Sequence, residues 1–199
     1  MVVLKLEVAA ALSAAAAVAP PHGQPDLAWN RLAPRHRAAL GLQRRVSTLE
    51  PARPLVERSR ELLGEELARE LAALPESTTR DGTLYCHASP LSDMDSFYPE
   101  PDERDAERLM GVEASRVVFG HTHLQFTRGG PGGIELVNPG SVGMPLDGDR
   151  RAAYAIVADD GSIEPRRVDY DWQGAARAVR ERVGELPAKR IEQSRFDVS

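Results

Sequence analysis

Val117, Val118 and Phe119 stand together as an unbroken apolar run, two β-branched residues and one aromatic, and Gly120 stops it. A short run of this kind reads as a buried strand. Leu84-Tyr85-Cys86 is a second strand-like run, ending at His87-Ala88-Ser89-Pro90, where Ser-Pro halts regular structure. Between Arg53 and Leu74 the pattern changes period. Leu55, Leu62, Leu63, Leu67, Leu71 and Leu74 recur at helical spacing with Arg58, Glu61, Glu65 and Arg69 opposite, and Pro75 closes the segment. A leucine stripe of this sort predicts core packing.

Downstream, Asp102 is placed to cap a helix from Glu103 to Met110. Gln125-Phe126-Thr127 predicts a strand, Gly129 to Gly133 a turn, and Ile134 to Val137 an alternating return strand. Asn138-Pro139-Gly140-Ser141 reads as a tight turn. Ala152 to Ala158 predicts a buried strand, Asp159-Asp160-Gly161 a hairpin turn, and Ile163 to Tyr170 its partner. A surface helix is expected over Gly174 to Val183 and a frayed tail from Ile191. The first 21 residues are an alanine-rich segment running into Pro20-Pro21, followed by a Pro-rich loop and a short helix from Arg35 to Leu42. The alanine run imitates a signal peptide, but Glu7 beside Lys5 spoils the basic start and the run is too short to span a bilayer. A cytoplasmic location is expected, with secretion the minor alternative.

With 199 residues the chain is long enough for one domain with a real core. Its formal charge of -5 and its scattered arginines give no basic stripe for a nucleic-acid backbone. No oligomeric state follows. A single cysteine, Cys86, rules out an internal disulfide and a Cys-based zinc knuckle. As the neighbour of His87 on a strand it points to the opposite face, so a buried inert thiol is expected.

The candidate chemistry lies in three histidines. His121 and His123 follow Gly120 at i and i+2, where an extended segment points both imidazoles the same way. Neutral imidazole ligates zinc, manganese or iron. His87 ends the other strand. His22, Trp29 and His36 have no second donor at ligand spacing, and Asp93 and Asp95 read as a solvated acidic loop rather than as ligands.

His87 in a His-x-Ser-Pro setting, Gly120-His121-Thr122-His123 and Val137-Asn138-Pro139-Gly140-Ser141-Val142-Gly143, in that order, resemble the C-terminal half of a calcineurin-like metallophosphoesterase, nearest to the small bacterial phosphodiesterases. The resemblance runs from about Leu55 to Arg190. It implies a mixed α/β (α+β) fold, a two-sheet sandwich flanked by helices, with residues 22–190 as the domain. It implies hydrolysis of a small phosphorylated substrate by a metal-activated water, with His87 and His121 on one divalent ion and His123 on the other. The family's earlier Asp-x-His, Gly-Asp and Asn-His-Asp motifs have no counterpart here, and the only aspartate before Asp81 is Asp26. The N-terminal βαβ units are therefore expected to be missing, with one sheet left short of central strands, and no residue is assigned a catalytic role. Two ions are implied by the family, one or none by this chain. The alternatives are a truncated or misjoined product, a catalytically impaired fragment or scaffold of the same fold, or a site completed by a partner chain.

Overall fold

The computed structural model describes residues 53–198. The expectations for the alanine-rich segment, the Pro-rich loop with His22 and Trp29, and the helix carrying His36 lie outside the described residues. The chain forms two compact units, divided in sequence between Leu74 and Pro75.

In the first of these, helix α1 spans Arg53–Ala72 and ends just before Pro75, close to expectation. Gly64 interrupts it with φ 76° and ψ 161°. A glycine takes that conformation at little cost, and it interrupts the helical period on which the stripe depends. The predicted burial fails accordingly, since Leu67 is 42% and Leu74 50% exposed. Among the described residues no helix is long and apolar enough to cross a membrane.

In the other unit the strands are β1 (Ser77–Arg80), β2 (Thr83–Cys86), β3 (Arg116–Val118), β4 (Gln125–Gly129) and β5 (Glu135–Pro139). They form one mixed sheet in the order β1-β2-β3-β5-β4. The centre is parallel, with Leu84 beside Val117 and Val117 beside Leu136; the edge strands β1 and β4 run antiparallel to their neighbours. Parallel strands are usually covered on both faces, which explains the unbroken apolar run at 117–119. Val117 and Phe119 join Cys86, Phe97, Leu109 and Leu136 in one core, and Val118 and Val137 are buried as well. The Phe119 ring packs 5.0 Å from Phe97 and 5.6 Å from Phe126, centroid to centroid. Each such buried side chain contributes about 1.5–3 kcal/mol. Cys86 is buried as expected, and burial pushes its thiol up to about 12.

The loop after β2 is held by a charge cluster. The short helix α2 (Asp105–Arg108) replaces the longer one predicted over 103–110, because the Asp102 carboxylate accepts from Arg104 N–H (2.7 Å) in a turn that precedes the helix. Arg108, 5% exposed, donates to Asp95, Asp102 and Asp105 at 2.8–3.1 Å. Arg128 of β4 lies 2.7 Å from Asp105 and donates to the Tyr98 carbonyl (2.7 Å). Asp95 is thus not simply solvated; it anchors this loop.

Strands β6 (Ala152–Val157) and β7 (Ile163–Val168) form a two-stranded hairpin, closed by Gly161 with φ 80°. The predicted burial of β6 holds only for Ala152 and Ala153. Tyr154, Ile156 and Val157 are 38–45% exposed, since among the described residues this sheet has no third strand. Helix α3 (Trp172–Arg182) is capped by the Asp171 carboxylate, which accepts from Gly174 N–H (2.8 Å). Helix α4 (Glu185–Gln193) overturns the frayed tail. Ile191 is 4% exposed, and Ser194 donates its hydroxyl to the Pro145 carbonyl (3.0 Å).

Candidate metal centre

β2, β3 and β5 run in the same direction, so the segments leaving their carboxyl ends gather at one edge of the sheet, where open α/β sheets place their sites. His87 follows β2, the Gly120-to-His123 segment follows β3, and Asn138 is the penultimate residue of β5. The main chain ties the first two together, Gly120 N–H donating to the His87 carbonyl at 2.7 Å.

His87 and His121 meet. Nε2 of His87 lies 3.1 Å from Nδ1 of His121, and the rings stand nearly perpendicular with centroids 5.0 Å apart. The extended His-x-His segment expected from the sequence is not what brings them there. His121 and His123 both adopt left-handed backbone, with φ 66° and 60°. A non-glycine residue in that region costs about 1–2 kcal/mol, and neighbouring contacts must hold it. The two imidazoles accordingly do different things. His121 turns to His87, while His123 donates Nδ1–H to the Met144 carbonyl at 2.8 Å. A carbonyl only accepts, so this bond fixes the tautomer and leaves Nε2 of His123 with its lone pair.

Burial lowers the proton affinity of this cluster. It is the main reason that His87 falls from 6.5 to about 4, and positive charge on His121 and His123 adds to it. His121 is also lowered, by burial first and then by His123; Asp93, the Met94 backbone and Asp95 pull partly the other way. Both rings are therefore neutral near pH 7, the form that ligates metal. His123 lies close enough for its charge to be felt at both. The structure brings His87 and His121 together at one sheet edge, while His123, two residues further along the same segment, is turned to the Met144 carbonyl.

Two nitrogens that share one cation, each at about 2.0–2.1 Å and at angles between a right angle and the tetrahedral value, stand about 2.8–3.4 Å apart. The His87–His121 separation of 3.1 Å falls in that range. The donor set suits a single imidazole-bound ion such as zinc, manganese or iron. Among the described residues no group of three or more His, Cys, Asp or Glu is placed to hold a metal, so His87 and His121 stand as a two-ligand pair that His123 does not complete.

The local pattern places Asn138 in a turn and gives Met144 no role; the structure places Asn138 in β5. Asn138 is 1% exposed. Its amide nitrogen donates to the Gly120 carbonyl and to the Thr122 hydroxyl, both at 2.9 Å, and its oxygen accepts from Gly140 N–H at 2.9 Å. The Asn-Pro-Gly-Ser motif was a visible signal of a turn, but a contact to a segment 16–18 residues earlier leaves no trace in local pattern.

No family model matches the chain. Among curated proteins, an uncharacterized protein of Methanocaldococcus jannaschii, MJ0912, is 31% identical over 124 residues, covering 54% of this chain. The chain spans about half of that relative, 50% of its length. Among solved structures, a metallophosphoesterase from Sphaerobacter thermophilus is similar with a TM-score of 0.62 and 21% identity, over 80% of this chain and 74% of that one. A hypothetical protein from Pyrococcus horikoshii, PH1004, gives 0.62 and 18%, over 91% of this chain and 68% of that one. Parallel strands that deliver their histidines to one edge, together with these likenesses, show that the chain has the calcineurin-like metallophosphoesterase fold.

Proposed function

We propose that the protein is a metal-dependent phosphoesterase that hydrolyses a small phosphorylated compound, a phosphodiester or a phosphomonoester. The observation that carries this reading is the 3.1 Å approach of His87 Nε2 to His121 Nδ1 at the carboxyl ends of two adjacent parallel strands. Burial keeps both rings uncharged at neutral pH, each with one lone-pair nitrogen to offer a cation. His123 offers Nε2 because Met144 holds its other nitrogen. A divalent ion bound there supplies an activated water and neutralises charge on the phosphoryl oxygens. The chain's own part is to present the nitrogens, keep them neutral and fix their direction. The cytoplasm, with its phosphorylated metabolites, suits such an activity, and the net charge of -5 offers no long basic track for a nucleic-acid backbone.

Hydrolysis of bis(p-nitrophenyl) phosphate with added manganese, compared between the full chain and His121→Ala, tests the reading. A metal-dependent rate that disappears in the variant supports it. Equal background rates in both overturn it for this chain.

One observation favours a second reading, a non-catalytic scaffold of the same fold. Two dications held close together repel unless anionic groups bridge them, and among the described residues no carboxylate joins the imidazoles. Elemental analysis separates the two, since two ions bound per chain would count against the scaffold.

A further inference from the structure

We propose that the turn from Asn138 to Ser141 is a positioning device, which sets the nitrogen that His121 and His123 each present; the proposal rests on the metal-centre reading above. Neither Asn138 nor Ser141 makes a hydrogen bond to an imidazole. Each grips the backbone that carries or meets one.

Asn138 holds the histidine segment on either side of His121. Its Nδ2 donates backward to the Gly120 carbonyl and forward to the Thr122 hydroxyl, and its Oδ1 is occupied by Gly140 N–H. The side chain is 1% exposed with donors and acceptor all engaged, so it has little freedom to let that segment relax. His121 and His123, on left-handed backbone, need such a clamp, because without one the chain would fall back to an ordinary extended or helical conformation and turn the rings elsewhere. Ser141, also 1% exposed, accepts from Met144 N–H through Oγ at 3.0 Å. That bond orients the Met144 peptide, whose carbonyl takes the Nδ1 proton of His123 at 2.8 Å. The turn itself is locked. Gly140 sits at φ 81°, where a Cβ would lie 2.7 Å from the Ala153 Cβ, and Ala153 N–H donates to the Ser141 carbonyl at 2.9 Å. One rigid turn thus reaches His121 through Asn138 and His123 through Ser141 and Met144. A ligand's outer hydrogen bond fixes its tautomer and direction, and here one turn serves two ligands.

The test reads imidazole tautomers by long-range ¹H–¹⁵N NMR on the full chain at pH 8 in EDTA, with zinc affinity measured separately by calorimetry. The wild type should show His123 as the Nδ1–H tautomer. In Ser141→Ala, His123 should become a mixture of tautomers while His121 is unchanged, and Ser141→Thr, which keeps the hydroxyl, should restore the wild-type signal. Asn138→Asp, which keeps the acceptor for Gly140 but loses the donor, should move the His121 signals and leave His123 in place. Zinc affinity should fall about tenfold or more in Ser141→Ala and Asn138→Asp. An unchanged His123 tautomer in Ser141→Ala, or the same shift in Ser141→Thr as in Ser141→Ala, overturns the proposal. So does an Asn138→Asp variant with wild-type His121 signals and wild-type affinity. A wild type that binds no zinc removes the metal-centre reading, while the metal-free tautomers still decide the positioning claim.

Discussion

Lowering the pH from 7.5 to 5 should destabilise this protein through His87. His87 is neutral in the folded state until about pH 4, whereas in the unfolded chain it titrates near 6.5. A depressed folded value means that the unfolded state takes up the proton first. The stability is therefore fully present above 6.5 and is lost as pH falls from 6.5 toward 4. The whole difference is worth about 3 kcal/mol, and about 2 kcal/mol of it is already lost at pH 5. The cause is burial first and neighbouring imidazole charge second, so replacing the ring by a neutral side chain of similar reach removes the effect. Urea unfolding in EDTA at pH 7.5 and pH 5, on the wild type and on His87→Gln, measures it. The wild type should lose about 2 kcal/mol more than the variant across that interval, since the carboxylates and His121 titrate in both. Parallel losses would refute the reasoning, because they would place the His87 ring in water.

Two further changes probe the frame around the site. Gly140→Ala should destabilise by about 2–4 kcal/mol, since the residue has φ 81° and its new Cβ would stand 2.7 Å from the Ala153 Cβ and 3.0 Å from the Gln125 Cβ; thermal melts read this directly, and an unchanged Tm would mean that the turn can shift. Arg108→Met should cost about 1–3 kcal/mol, because it removes the guanidinium shared by Asp95, Asp102 and the 1% exposed Asp105, leaving Asp105 with Arg128 and Asp95 with Arg104, whereas Arg166→Met, on an exposed pair with Glu164, should cost less than about 1 kcal/mol by urea unfolding.

The sheet centre and its histidines were legible because they follow from local chemistry. The Val117–Phe119 run is what a doubly covered parallel strand requires, and Gly120 and Ser89-Pro90 mark where strands must stop. Gly161 announced its hairpin through the positive φ the turn needs. What stayed hidden depends on contacts distant in sequence. The α1 stripe reads as continuous, and only the backbone at Gly64 reveals the break. The exposure of β6 reflects the small sheet it belongs to, and the order of the C-terminal end depends on Ser194 finding Pro145. The His-x-His spacing predicts an extended segment, and nothing local says that both residues are left-handed. The reason lies in Asn138, near the end of β5, and Met144, which follows it.

Titration of zinc into the metal-free full chain at pH 7.5, followed by calorimetry on the wild type, His87→Ala and His121→Ala, tests the central claim most directly. The wild type should bind an ion that both variants lose, with protons released in small number because the rings are already neutral. No binding by the wild type, or equal binding in all three proteins, would contradict it.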